Sequence, residues 1–126
     1  MSRLLLATAN AGKGRELRAL LDELPLEVLT PADMGLAIEV EESGATLEDN
    51  ARLKAVAHVA ASGLPALADD SGLEVDALGG LPGVRSSRWV AGDDAARVAA
   101  LLRQLAGVPP ERRAARFRSV AVLATP

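Results

Sequence analysis

A chain of 126 residues with 49% hydrophobic side chains is the size of one domain and can bury a real core. Its net charge of −3 argues against a nucleic-acid-binding surface, and the lack of cysteine excludes disulfides and thiolate metal sites. No apolar run approaches the roughly 20 residues of a membrane span, so a cytoplasmic protein in a reducing compartment, with neither nucleic acid nor membrane as partner, is expected.

In chain order, "RLLLAT" (Arg3 to Thr8) predicts a buried strand; the apolar run is too short for a secretory leader. Leu17, Leu20, Leu21 and Leu24 then recur at helical spacing until Pro25, and Leu26 to Thr30 reads as a second strand. Strand, helix and strand in thirty residues suggest a parallel pair joined by a crossover helix. A loop with a possible strand over Gly35 to Val40 follows. Thr46 and Asp49 resemble a capping box opening a helix whose apolar face would be Leu53, Val56, Ala57 and Ala60, closed at Gly63. "ALAD" and "LEVDAL" read as short strands bracketing a Ser71-Gly72 turn, and Gly79 to Gly83 as a loop. Asp93 or Asp94 would cap a third helix with Val98, Leu101, Leu102 and Leu105 inward, and "FRSVAVLA" closes the chain as a strand. With no repeat or linker, the pattern is that of one α/β domain.

Two stretches could carry chemistry. Thr8 to Lys13 ("TANAGK") lies between a strand and a helix, where free amides and the positive end of the helix attract anions. Lys13 adds a full charge, Thr8 a hydroxyl and Asn10 an amide. It is not a Walker A loop, because Ala7 and Gly14 stand where that motif needs glycine and Ser/Thr. An ordinary strand-to-helix turn with a solvated lysine is the alternative. The second stretch is Asp69-Asp70. Neighbouring side chains on a strand point to opposite faces, so one of the two would enter a given cleft. A carboxylate at a strand end could hold Mg²⁺ and activate water, with Glu41 or Glu42 as further oxygen donors. Turn chemistry explains Asp-Ser-Gly equally well.

The other residues offer less. His58, the only histidine, lies off the expected apolar stripe and reads as solvated or partly packed; without cysteine, Cys–His chemistry is excluded. Phe117 reads as core and Trp89 as a possible stacking surface. The cations are arginine except for Lys13 and Lys54, a bias that fits genomic composition better than function.

Together, "ATANAGK", "EESGATLEDNARLKA", "LPALADDSGLEVDALGGLPGVRSSRW" and "RAARFRSVAVLA" closely resemble the inosine triphosphate pyrophosphatase family, in order from Met1 to Pro126. The resemblance implies a mixed β-sheet flanked by helices, with a substrate cleft between two lobes. It implies Mg²⁺-dependent hydrolysis of the purine nucleoside triphosphates ITP, dITP and XTP to monophosphate and pyrophosphate, and a homodimer. Residue by residue, Thr8, Ala9, Asn10, Ala11, Gly12 and Lys13 match the triphosphate loop, with Ala9 where glycine is more usual. Asp70 matches the proton acceptor and metal ligand, Ser71 a substrate contact, and Glu41, with Glu42 beside it, the second metal-linked acid. Family members run to roughly two hundred residues, with a later glycine-rich aromatic segment and a Ser-His-Arg stretch. This chain therefore reads as a single C-terminally truncated domain holding the phosphate and metal half of the site. Two alternatives are a non-catalytic nucleotide-binding or subunit-pairing remnant and a Maf-type pyrophosphatase, against which "ADDSGLEVDALGG" argues.

Overall fold

The computed structural model describes residues 1–126. The expected strand–helix–strand opening forms as β1 (Ser2–Leu6), α1 (Ala11–Leu20) and β2 (Leu26–Leu29), with β1 and β2 parallel from Ser2 against Leu26 to Leu5 against Leu29. Leu4, Leu5, Leu6 and Ala7 are all buried, as befits a strand in the middle of a parallel sheet. The sheet order is β2-β1-β3-β4, where β3 is Ala66–Val75 and β4 is Ala115–Ala124. β3 runs parallel to β1, with Leu5 against Ala66. β4 runs the other way and makes the sheet mixed: Val122 and Ala124 near its end pack against the cluster that holds Ala68, while Arg116 and Arg118 near its start meet Glu74 towards the end of β3.

The chain divides into two compact units, Met1–Asp70 with Val120–Pro126, and Ser71–Ser119, and β3 and β4 each pass from one to the other. In the first unit, α2 (Leu47–Ser62) starts at Thr46, whose Oγ1 accepts the Asp49 amide proton at 3.0 Å, and ends at a left-handed Gly63. In the second, α3 (Asp94–Gln104) is capped by Asp93, whose Oδ1 accepts from the Ala96 amide at 3.0 Å. No helix is long and apolar enough to cross a membrane.

Several sequence expectations are corrected. The buried line of α2 is Leu47, Ala51 and Ala55, with Asn50 and His58 beside it, whereas Leu53 and Val56 are exposed. The helix lies against the sheet through its smallest side chains: Ala55 packs with Ala7 and Ala68, and a larger residue would hold the two layers apart. His58 is accordingly only 4% exposed, neither solvated nor partly packed. Ala100 on α3 and Leu105 at its C-cap are buried while Val98 and Leu102 are not, and Phe117, expected in the core, is 83% exposed on β4. Gly35 to Val40 joins no strand ladder.

Ser71-Gly72 is not a turn, because β3 is one continuous ten-residue strand. Gly72 is there for close approach: a Cβ on it would lie 2.1 Å from the carbonyl oxygen of Gly83.

Candidate functional site

A cleft of about 750 Å³ opens wholly within the first unit. One wall is the turn from β1 into α1. Asn10 caps α1 by accepting the Lys13 amide proton on Oδ1 at 3.0 Å, and its own amide donates to Thr8 Oγ1 at 3.1 Å. These two bonds fix the turn, and the first-turn amides beyond the cap have no helical acceptor of their own. Thr8, Ala9, Asn10 and Ala11 line the cleft, while Gly12 lies exposed on the first turn of α1. Arg15 and Arg18 from α1 add two cations to the same wall.

Arg18 is held in place. Its guanidinium donates to the Val28 carbonyl at 3.1 Å and to Asp33 Oδ2 at 2.8 Å, and that same oxygen accepts the Thr30 amide proton at 2.9 Å. The bond from the Thr30 backbone, followed by that from Arg18, holds the Asp33 carboxyl below its ordinary value. The floor of the cleft beside Thr30, Pro31 and Ala32 is thus a small charged network.

The opposite wall is residues 36–42. Without a ladder, the segment still alternates strictly: Leu36, Ile38, Val40 and Glu42 are half-buried, and Ala37, Glu39 and Glu41 are exposed. Ala37 and Glu39 also border the cleft, and Glu42, at its end, meets Lys54 of α2, Oε1 to Nζ 2.9 Å. Glu41 is exposed and does not line the cleft.

Lys54 ties the site together. Its ammonium donates to the Asp69 carbonyl at 2.6 Å and stands 3.9 Å from Asp70 Oδ1, charge proximity rather than a hydrogen bond. One cation thus faces both Glu42 and Asp70. The carboxylate of the neighbouring Asp69 meets a different cation: its Oδ2 lies 2.9 Å from Lys13 Nζ. Ser71, the next residue, is exposed and belongs to the second unit.

Sequence reasoning missed Lys54, Arg15 and Arg18. A signal for the first was present: Asn50, Lys54 and His58 recur every four residues, one line of α2 next to the Leu47-Ala51-Ala55 line. Preference for the larger apolar residues hid it.

Glu42 and Asp70 have no third carboxylate or histidine beside them in metal-binding array. Two carboxylates are nonetheless a fitting set for Mg²⁺, which keeps several waters and takes oxygens from a bound phosphate. That a lysine ammonium already faces both acids shows that the spot favours positive charge.

A sequence model of the Ham1 family matches residues 4–126. A "dITP/XTP pyrophosphatase" of Symbiobacterium thermophilum is 54% identical over 127 residues, 98% of this chain and 62% of that protein. A protein of the same description from Nocardia farcinica is 50% identical over 131 residues, 100% of this chain and 64% of that one. Among solved structures, a HAM1 protein from Coxiella burnetii superposes with a TM-score of 0.88 at 37% identity, covering 98% of this chain and 63% of that chain. A nucleoside-triphosphatase / dITP/XTP pyrophosphatase from Mycobacterium abscessus gives 0.81 at 46% identity, with 98% and 65% covered. The chain thus spans a little under two thirds of the length of these relatives.

Proposed function

Because the chain belongs to the Ham1 family, we propose that it carries the phosphate- and metal-binding part of a pyrophosphatase acting on the purine nucleoside triphosphates dITP, XTP and ITP. One observation carries the reading: Lys13 from the amide-lined turn and Lys54 from α2 both reach the Asp69-Asp70 pair, so an anion site and an acid site share one region.

In this reading the triphosphate lies along the turn from Thr8 to Lys13. The α1 amides and Lys13 take up charge on the β- and γ-phosphates, and Ser71 is a further substrate contact. Asp70 and Glu42, the member of the Glu41-Glu42 pair that lines the cleft, would hold Mg²⁺, which supplies charge neutralisation on the phosphates. Asp70 accepts the proton of a water that attacks the α-phosphorus. The bond from that phosphorus to the bridging oxygen breaks, leaving monophosphate and pyrophosphate. Developing negative charge on the leaving group falls where Lys13 and the helix end are. The apolar side chains of Leu36, Ile38 and Val40 offer a dry wall to the rest of the nucleotide. A cytoplasmic homodimer is part of the proposal, by family resemblance alone.

The test is Mg²⁺-dependent release of pyrophosphate from dITP, XTP and ITP by the purified chain and by Asp70→Asn. Turnover in the first and a loss of at least a hundredfold in the second, with an unchanged circular dichroism spectrum, is the expected result. Nucleotide binding with no release would instead mark the chain as a binding module, and wild-type turnover in Asp70→Asn would remove Asp70 from its role.

A further inference from the structure

Residues 36–42 carry the acid that meets Lys54, yet they form no ladder, so no sheet partner fixes which of their side chains face in. A slip of one residue in an extended segment exchanges its two faces. Here it would turn Glu42 out and Glu41 in. Something off the sheet must hold the register, and one contact stands out. The Gly44 amide donates to Asn50 Oδ1 at 2.7 Å, two residues after Glu42.

Asn50 is 1% exposed, on the first turns of α2. Its Nδ2 is buried without a partner, an unfavourable arrangement that an apolar side chain would avoid. The asparagine is therefore in place for the bond it does make, through Oδ1. Gly44 fits the same contact closely: a Cβ there would lie 2.7 Å from Asn50 Oδ1 and 2.6 Å from Asp49 Cβ. Donor and acceptor meet with no room for a side chain between them.

We infer that Asn50 is a register clamp: by holding the Gly44 amide it selects Glu42 over Glu41 as the acid presented beside Lys54 and Asp70. It touches no substrate atom and acts as a positioning residue. The inference rests on the proposed metal and phosphate site, and its test separates the two.

Mn²⁺ binding in the presence of inorganic pyrophosphate, read from the free-ion signal in electron paramagnetic resonance, is measured for the full chain and for Glu41→Gln and Glu42→Gln, each with and without Asn50→Ala. With Asn50 present, Glu42→Gln weakens binding at least tenfold and Glu41→Gln at most twofold. With Asn50→Ala, the two substitutions differ by less than threefold, and Asn50→Asp, which keeps an acceptor, restores the difference. Hydrogen exchange shows Gly44 protected in the wild type and unprotected in Asn50→Ala. A folded Asn50→Ala chain that keeps the tenfold preference, or keeps Gly44 protected, overturns the clamp. If Asn50→Ala does not fold, Gly44→Ala breaks the contact from the loop side and answers by the same two readings. Should neither fold, a wild-type Gly44 amide exchanging as fast as that of exposed Ser43 overturns it. A wild-type chain that binds no Mn²⁺ with pyrophosphate counts against the site itself, while Gly44 protection still reports on the clamp.

Discussion

Lys13 Nζ stands 2.9 Å from Asp69 Oδ2, joining the first turn of α1 to the acid-bearing part of β3. Both side chains are more than two-thirds buried, so the pair is shielded from solvent better than a surface bridge and fixes the ammonium at the mouth of the turn. Replacing Lys13 with alanine should weaken pyrophosphate binding by roughly 10–100-fold, the equivalent of about 1.5–3 kcal/mol for a hydrogen bond to a charged group. Isothermal titration measures it directly. An affinity unchanged in the variant would mean that the anion does not sit at this turn.

How much of this was readable beforehand depends on which physical signal each element uses. β1 and β2 are legible because a buried parallel strand is an unbroken apolar run, and α1 because its leucines recur at helical spacing, although the helix closes at Leu20, before Pro25, and Leu20 and Leu24 are exposed. Thr46 and Gly63 bounded α2 for the same local reason. The face of α2 was not legible, because an alanine line can be buried more deeply than a leucine when two layers approach closely, and composition gives no sign of that approach. The sequence of β3 reads as two strands because glycine after serine looks like a turn, whereas Gly72 answers to the Gly83 backbone in another segment. The turn at Thr8 to Lys13 and the Asp69-Asp70 pair were both singled out from the residues. The line Asn50-Lys54-His58 marks Lys54 as sharing a face of α2 with two buried polar residues, but which acids it meets depends on tertiary contacts with two other segments.

The close approach of α2 to the sheet limits what its buried face can hold. Ala55 is fully buried between Ala7 and Ala68, so Ala55→Leu forces α2 away from the sheet and should destabilise the fold by about 1–3 kcal/mol or more. Leu53→Ala, on the exposed side of the helix, should change stability by less than about 0.5 kcal/mol in the isolated chain. Urea denaturation compares the two. The opposite ranking would return the larger residue to the core.

The Asp33 network makes stability depend on pH in a defined direction. A carboxyl whose folded pKa is lowered, here by the Thr30 backbone bond first and Arg18 second, stabilises the fold above its unfolded value and loses that contribution as pH falls through the folded one. The melting temperatures of wild type and Asp33→Asn should therefore differ most near neutral pH. They should converge as pH drops below about 4, the ordinary range of an aspartate. A difference constant from pH 7 to pH 3 would show that Asp33 acts through shape alone. Because Arg18 and Thr30 line the cleft, the same acidification should loosen the cleft floor before the sheet melts.

Gly72 offers the most severe single substitution. Its ideal Cβ would lie 2.1 Å from the Gly83 carbonyl oxygen and 3.1 Å from Ser86 Oγ, and a backbone carbonyl cannot swing aside as a long side chain can. Ser86 already uses that space: its hydroxyl donates to the Gly83 carbonyl at 2.6 Å and accepts the Leu73 amide proton at 2.8 Å. Gly72→Ala must therefore break the Ser86 bridge or bend β3, and a loss of about 1–3 kcal/mol or more is expected. Ser86→Ala leaves the strand straight but strips the part-buried Leu73 amide of its acceptor, which should cost about 1–3 kcal/mol. If the two act through one bridge, the double variant is less destabilised than the sum of the single ones, because the second substitution removes a contact already lost. Strict additivity in urea denaturation would show that Gly72 and Ser86 serve β3 independently.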